Sequence, residues 1–191
     1  MTAPTFDEFF QALNHFPPFP WQRRLAMSLA DGASPDAIGV PTGLGKTSVL
    51  HAWMWALAVQ ASRPASDRTV PTRAVFVVDR RVIVDAAHEV ASSAALQMES
   101  SNLDAIRWCA DALRSTGHDL RRPLEVVRMR GGVTWSWRWL RQPDQPAVIV
   151  GTVDQFGSRL LFRGYGVGDR LRSIDAALLG NDAVAFLDEA H

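Results

Sequence analysis

Of the 20 basic side chains in this 191-residue chain 19 are arginine, and the one lysine stands at position 46. It belongs to the run Pro41-Thr42-Gly43-Leu44-Gly45-Lys46-Thr47. Glycines at that spacing let the backbone curl so that successive N–H groups face one point, the arrangement that cradles a polyphosphate. A compact ammonium reaches the β- and γ-phosphates as a point charge, whereas a planar guanidinium is bulkier and does not fit the same cradle. Thr47 adds a hydroxyl suited to Mg²⁺. The sequence given closes on Asp188-Glu189-Ala190-His191, the acidic box that such a loop needs as its partner. Loop and box together predict a nucleoside triphosphate site. They also constrain the fold, because a phosphate loop works between a buried strand and the N-terminus of a helix.

The flanking sequence has that layout. Residues 37–40 form a short apolar run closed by Pro41, which reads as a strand feeding the loop, and residues 46–60 read as a mostly buried helix rich in Ala, Leu and Trp. Further strands are predicted at 74–78, 124–129, 147–150 and 183–187, and further helices at 82–96, 102–115 and 154–162. Strands alternating with helices predict an α/β fold with a doubly wound, mostly parallel sheet and ligands at the carboxyl ends of its strands. No internal repeat or low-complexity segment is present. Because the last strand runs into the acidic box with no helix after it, the expectation is an incomplete domain over 1–191, the front portion of a longer protein.

Composition sets ordinary bounds. A hydrophobic content of 47% over 191 residues suffices for one well-buried domain. Formal net charge is zero, so no bulk basic field advertises nucleic acid, although backbone amides and a few arginines can grip phosphates without one. One cysteine, Cys109, excludes an internal disulfide framework and a cysteine-cluster zinc site, and reads as apolar filler. The first 16 residues carry Asp7 and Glu8 and no basic start or apolar core, unlike a signal peptide. No uncharged apolar run reaches the roughly 20 residues of a spanning helix. The expected location is the cytoplasm, with no membrane association.

Six more segments bear on chemistry. Residues 183–187 are an apolar strand that would fix Asp188 in the Mg²⁺ shell, with Glu189 placed to polarise a water as general base. Against this stands a merely solvated acidic strand end. Phe16-Pro17-Pro18-Phe19-Pro20-Trp21-Gln22 lies upstream of the loop. The Gln22 amide can accept from an adenine N6 amino group and donate to N7 at once, with Phe19 or Trp21 packing nearby; the alternative is an aromatic plug with an exposed Gln22. Val77-Val78-Asp79-Arg80-Arg81, Arg128-Met129-Arg130-Gly131-Gly132 and Val150-Gly151-Thr152-Val153-Asp154-Gln155 each lie at a strand end. There Arg80, Arg81, Arg130, the close-approach backbone at Gly131 and Thr152 could meet nucleic-acid phosphates, or simply be solvated turns. Trp135, Trp137 and Trp139 beside Arg138 and Arg141 suit either base stacking or core packing under a loop, and the core reading is favoured.

The loop departs from the general G-x-x-x-x-G-K-[ST] pattern, with Val40 at the first glycine position. Its Pro-Thr-Gly-x-Gly-Lys-Thr form resembles the superfamily 2 helicases and translocases, the run 183–191 resembles their DEAH box, and 16–22 resembles their glutamine motif. More narrowly, the string from Ile149 through Gly151-Thr152-Val153-Asp154-Gln155 to Val167, followed by Ala177-Leu178-Leu179-Gly180-Asn181-Asp182, is similar to the helicase of type I CRISPR systems. The resemblance runs from Trp21 to His191. It implies the first RecA-like domain of an ATP-dependent DNA helicase with an antiviral role. It implies ATP and Mg²⁺, with Thr42, Gly43, Gly45, Lys46 and Thr47 at the phosphates, Gln22 at the base, Thr47 and Asp188 at the metal, and Lys46, Asp188 and Glu189 in catalysis. It also implies single-stranded DNA as track, a guide-RNA surveillance complex as partner, and a histidine–aspartate nuclease.

Because the 16–22 motif lies close to Met1, no nuclease domain is expected ahead of it, and His118-Asp119 is the only adjacent His-Asp pair. The nuclease is therefore expected C-terminal or on another chain, as in a helicase-first subtype. A second RecA-like domain with arginine fingers is likewise expected outside 1–191, so the isolated chain should bind ATP but turn it over poorly. Two other readings stay open: another superfamily 2 motor, such as a restriction-system translocase, and a nucleotide-binding module without turnover.

Overall fold

The computed structural model describes residues 2–129, 138–164 and 166–188. Its centre is a four-stranded parallel sheet: β1 (Arg73–Val78), β2 (Glu125–Met129), β3 (Ala147–Thr152) and β4 (Ala183–Leu187), in the order β2-β3-β1-β4. The α/β class and the parallel sheet expected from the sequence are both present. β1 and β3 are buried along their whole length, as a strand covered on both faces should be. β4 is an edge strand, bonded to β1 alone, and its residues are half-buried or exposed.

Alternate residues feed two cores, following the period-two geometry of a strand. Ala74, Phe76, Val78, Val148 and Val150 face α1 (Phe6–Asn14), α2 (Pro20–Ala30), α3 (Val49–Gln60), α4 (Arg81–Ser100) and α5 (Asp104–Arg114). Val75, Val77, Val127, Met129 and Ile149 face α6 (Arg138–Arg141), α7 (Val153–Leu160) and α8 (Asp169–Gly180). Helices thus cover both faces of the sheet, an arrangement compatible with a RecA-like fold.

The first core is built around α3, eleven of whose twelve residues are buried. A helix apolar on all sides belongs inside a protein, and this one is wedged among α1, α2, α5 and the sheet. Its two indoles still satisfy their N–H groups: Trp53 Nε1 donates to the Pro71 carbonyl at 2.8 Å and Trp55 Nε1 to that of Pro4 at 3.0 Å. Cys109 is fully buried in the same core, and burial pushes its thiol pKa up, as expected of filler. Trp139 is 3% exposed in the second core, in agreement with core packing; Trp135 and Trp137 lie outside the described residues.

The expected strand at 37–40 is not in the sheet. The segment is irregular, with Ile38 and Val40 half-buried and a three-residue turn bond from Val40 N–H to the Ile38 carbonyl at 3.0 Å. Gly39 within it and Pro41 after it weaken its strand character. The helix expected from residue 46 begins instead with a 3₁₀ turn, Lys46–Ser48, and becomes α-helical at Val49.

Candidate functional site

In a parallel sheet all carboxyl ends lie on one edge, and the strand register shows which residues meet there. Val78 pairs with Thr152, Met129 with Gly151, and Val77 with Leu187, after which the Asp188 N–H donates to the Val77 carbonyl at 2.9 Å. Asp79, Arg80, Thr152 and Asp188 therefore follow directly from neighbouring strand ends. Gly151 is needed for this closeness, since a Cβ there would stand 2.8 Å from Met129 Cβ and 3.0 Å from its carbonyl oxygen.

The phosphate-loop residues lie in front of α3. Gly43 and Gly45 adopt left-handed φ values of 84° and 68°, which only glycine takes without strain. Residues 41–45 are exposed, and Lys46, Thr47 and Ser48 are half-buried. Among the described residues, the N–H groups of Gly43, Leu44, Gly45 and Lys46 have no backbone carbonyl partner. Lys46 has no ion-pair partner among them either.

A cavity of about 430 Å³ lies between the loop and β4, within the range of small-ligand pockets. Lys46 and Asp188 both line it, together with Trp21, Ile38, Phe76 and Phe186. The structure thus brings the lysine and the aspartate to the lining of one space. Thr42, Gly43, Gly45 and Thr47 are outside its lining. Glu189, Ala190 and His191 lie outside the described residues, as do Arg130 and Gly131.

Gln22 is placed differently from a base-reading amide. It is 1% exposed; its Oε1 accepts from the Phe19 N–H at 2.8 Å and its Nε2 donates to the Gly45 carbonyl at 3.3 Å. Neither an exposed glutamine nor one open to a base describes it. Beside it, Trp21 Nε1 donates to the Leu44 carbonyl at 3.2 Å, a contact with no signature in the sequence beyond the tryptophan's place next to Gln22.

On the expected nucleic-acid edge, Arg81 is exposed, Arg80 makes only an exposed ion pair with Asp79 at 3.4 Å, and Thr152 caps α7 at 9% exposure without a side-chain cap bond. Arg128 is turned aside to Asp85 on α4 at 3.2 Å. His118 is exposed, and no cluster of metal-ligating side chains occurs among the described residues, so the His118-Asp119 pair has no supporting ligands there. No described helix is long and apolar enough to cross a membrane. In comparisons with protein-family models, curated proteins and solved structures, the chain matches none.

Proposed function

We propose that this chain is the ATP-binding part of an ATP-dependent DNA helicase or translocase, of the kind that serves type I CRISPR antiviral interference. The observation that carries the reading is that Lys46 and Asp188, the latter just past the carboxyl end of β4, line one cavity. The local chemistry suits a triphosphate with Mg²⁺. Two left-handed glycines, with four backbone N–H groups that have no carbonyl partner and an ammonium that has no counter-ion among the described residues, form a set of donors suited to an anion. Asp188, at the end of β4, supplies the opposite charge on which a divalent cation would be held.

In this reading Lys46 binds and orients the β- and γ-phosphates, Thr47 and Asp188 hold the metal, and Glu189 accepts a proton from water. Mg²⁺, when bound, neutralises charge that develops on the transferred phosphoryl group. Arg80, Arg81 and Thr152 lie on the same sheet edge and would track the phosphates of single-stranded DNA, with salt-sensitive affinity. The finer assignment to a CRISPR helicase, with a surveillance complex and a nuclease as partners, rests on the resemblance of residues 149–167 and of the segment leading to Asp188.

Titration with a fluorescent ATP analogue tests the site. Truncating one member of a desolvated charged contact costs about 2–5 kcal/mol, so Lys46→Ala should weaken binding at least about 30-fold. Asp188→Asn should leave metal-free binding in place and remove its response to Mg²⁺. Equal affinity of Lys46→Ala and the unaltered chain would overturn the assignment.

A further inference from the structure

We infer that Trp21 and Gln22 are positioning residues for the phosphate loop: from α2 they hold the consecutive carbonyls of Leu44 and Gly45 and thereby aim the amides of Gly45 and Lys46. The inference rests on the proposed triphosphate site.

The argument starts from peptide geometry. A peptide unit is planar and, with no cis bonds among the described residues, its C=O and N–H point in opposite directions. The Leu44 carbonyl is turned to the Trp21 indole at 3.2 Å, so the N–H of Gly45 points away from α2. The Gly45 carbonyl accepts from Gln22 Nε2 at 3.3 Å and from the Ser48 N–H at 3.0 Å, so the N–H of Lys46 points away from those donors. Both amides are among the loop N–H groups without a carbonyl partner. Two side chains thus decide which way two phosphate donors face.

The brace has a firm base. Leu25, Ala26 and Leu29 anchor α2 in the larger core, and α2 and α3 pack closely against one another. The Gln22 amide cannot roll freely, because its oxygen is engaged by the Phe19 N–H at 2.8 Å. Gly45 also fits this contact: a Cβ in its place would stand 3.0 Å from Gln22 Nε2. The loop itself is exposed and carries two glycines, which without such contacts would sample many conformations and have to be ordered by the ligand. Holding the amides in place beforehand lowers that ordering cost, the general route by which a preorganised site gains affinity. Since the brace acts on phosphate donors, its effect must be blind to the base. Gln22, engaged at both ends, then contributes phosphate affinity and no adenine selectivity.

The test compares ATP, GTP and inorganic tripolyphosphate as ligands of the whole chain. Trp21→Phe retains an aromatic ring and removes the N–H; Gln22→Leu retains approximate volume and removes both amide bonds. Each is expected to weaken all three ligands by one common factor, about fivefold for a neutral hydrogen bond. The melting temperature of ligand-free Trp21→Phe should stay that of the unaltered chain. Unchanged affinity of Trp21→Phe for all three ligands would overturn the inference. So would a loss confined to ATP, which would make these side chains base contacts. If the unaltered chain binds none of the three, the triphosphate site itself falls, an outcome visible before any variant is made.

Discussion

The two faces of the sheet are built in different ways. On one, 34 buried apolar residues among those described form a continuous core around α3, whose single histidine, His51, is held neutral. On the other, the corresponding cluster has eight members, and α7 and α8 are joined by a buried ion pair, Arg159 with Asp175, each side chain 1% exposed. The proposed phosphate loop grows out of the first face and Thr152, with its helix α7, lies over the second. A dry core fixes position by packing against many neighbours at once. A buried ion pair fixes one relative orientation and adds little net stability, since both charges leave water to form it. Here burial pushes the Asp175 carboxyl pKa up in spite of the adjacent guanidinium, the direction expected when desolvation outweighs attraction. Rigid support thus lies under the loop, and orientational support lies under the proposed DNA-facing edge.

The strongest attempt to break this contrast is Trp53→Ala. Trp53 is fully buried and bonded to Pro71, so its truncation should lower unfolding free energy by about 3–5 kcal/mol in urea titration. The same change at Trp139, in the cluster of eight, should fall at or below the low end of that range, because fewer neighbours lose contact. Equal costs would show that the second core is as tightly packed as the first.

The ion pair gives the next test. Asp175→Leu alone should also destabilise by about 3–5 kcal/mol, because it removes the carboxylate that faces a buried guanidinium. Combining it with Arg159→Met should recover most or all of the loss, measured by the same titration. A double variant no better than the single one would mean that the pair does more than orient α7 against α8.

His51 sharpens the contrast through pH. Burial lowers its pKa from 6.5 to about 4. The unfolded chain therefore binds the proton more readily than the folded one, and this contribution to stability is complete above pH 6.5 and lost as pH falls toward 4. The shift corresponds to about 3 kcal/mol. Chemical denaturation at pH 7 and pH 4 should show it, and His51→Phe, which keeps a ring against Phe10, should remove that part of the acid slope.

β1 and β3 were legible because a parallel strand covered on both faces is a plain apolar run, and β2 and β4, less covered, still hold short apolar stretches: 74–78, 124–129, 147–150 and 183–187 lie within a residue or two of the observed strands. Residues 37–40 carry the same local signal, but a strand exists only where a partner meets it, and composition cannot supply one. The helix α1, for which no element was expected, carries its own local signal in Thr5 and Glu8 as a capping box with apolar residues at 6, 9, 10 and 13. At the site, Lys46 and Asp188 were legible because loop and box have fixed chemistry. The direction of the Gln22 amide and the bond from Trp21 to Leu44 were not, since they depend on how α2 docks beside α3, and neighbours 23 residues apart leave no local trace.

The outer margin of β4 has a consequence for the protein in solution. A strand with one neighbour presents a row of main-chain donors and acceptors, and here Leu187 adds a side chain 58% exposed. Such margins are ordinarily blunted by charge, but β4 carries none along Ala183–Leu187, and the chain has an isoelectric point near 7.0. At neutral pH, molecules carrying no net charge do not repel one another, so colloidal stability is at its weakest where the strand margin is most adhesive. Buffers a unit or two away from neutrality, and low protein concentration, should therefore favour dispersed molecules.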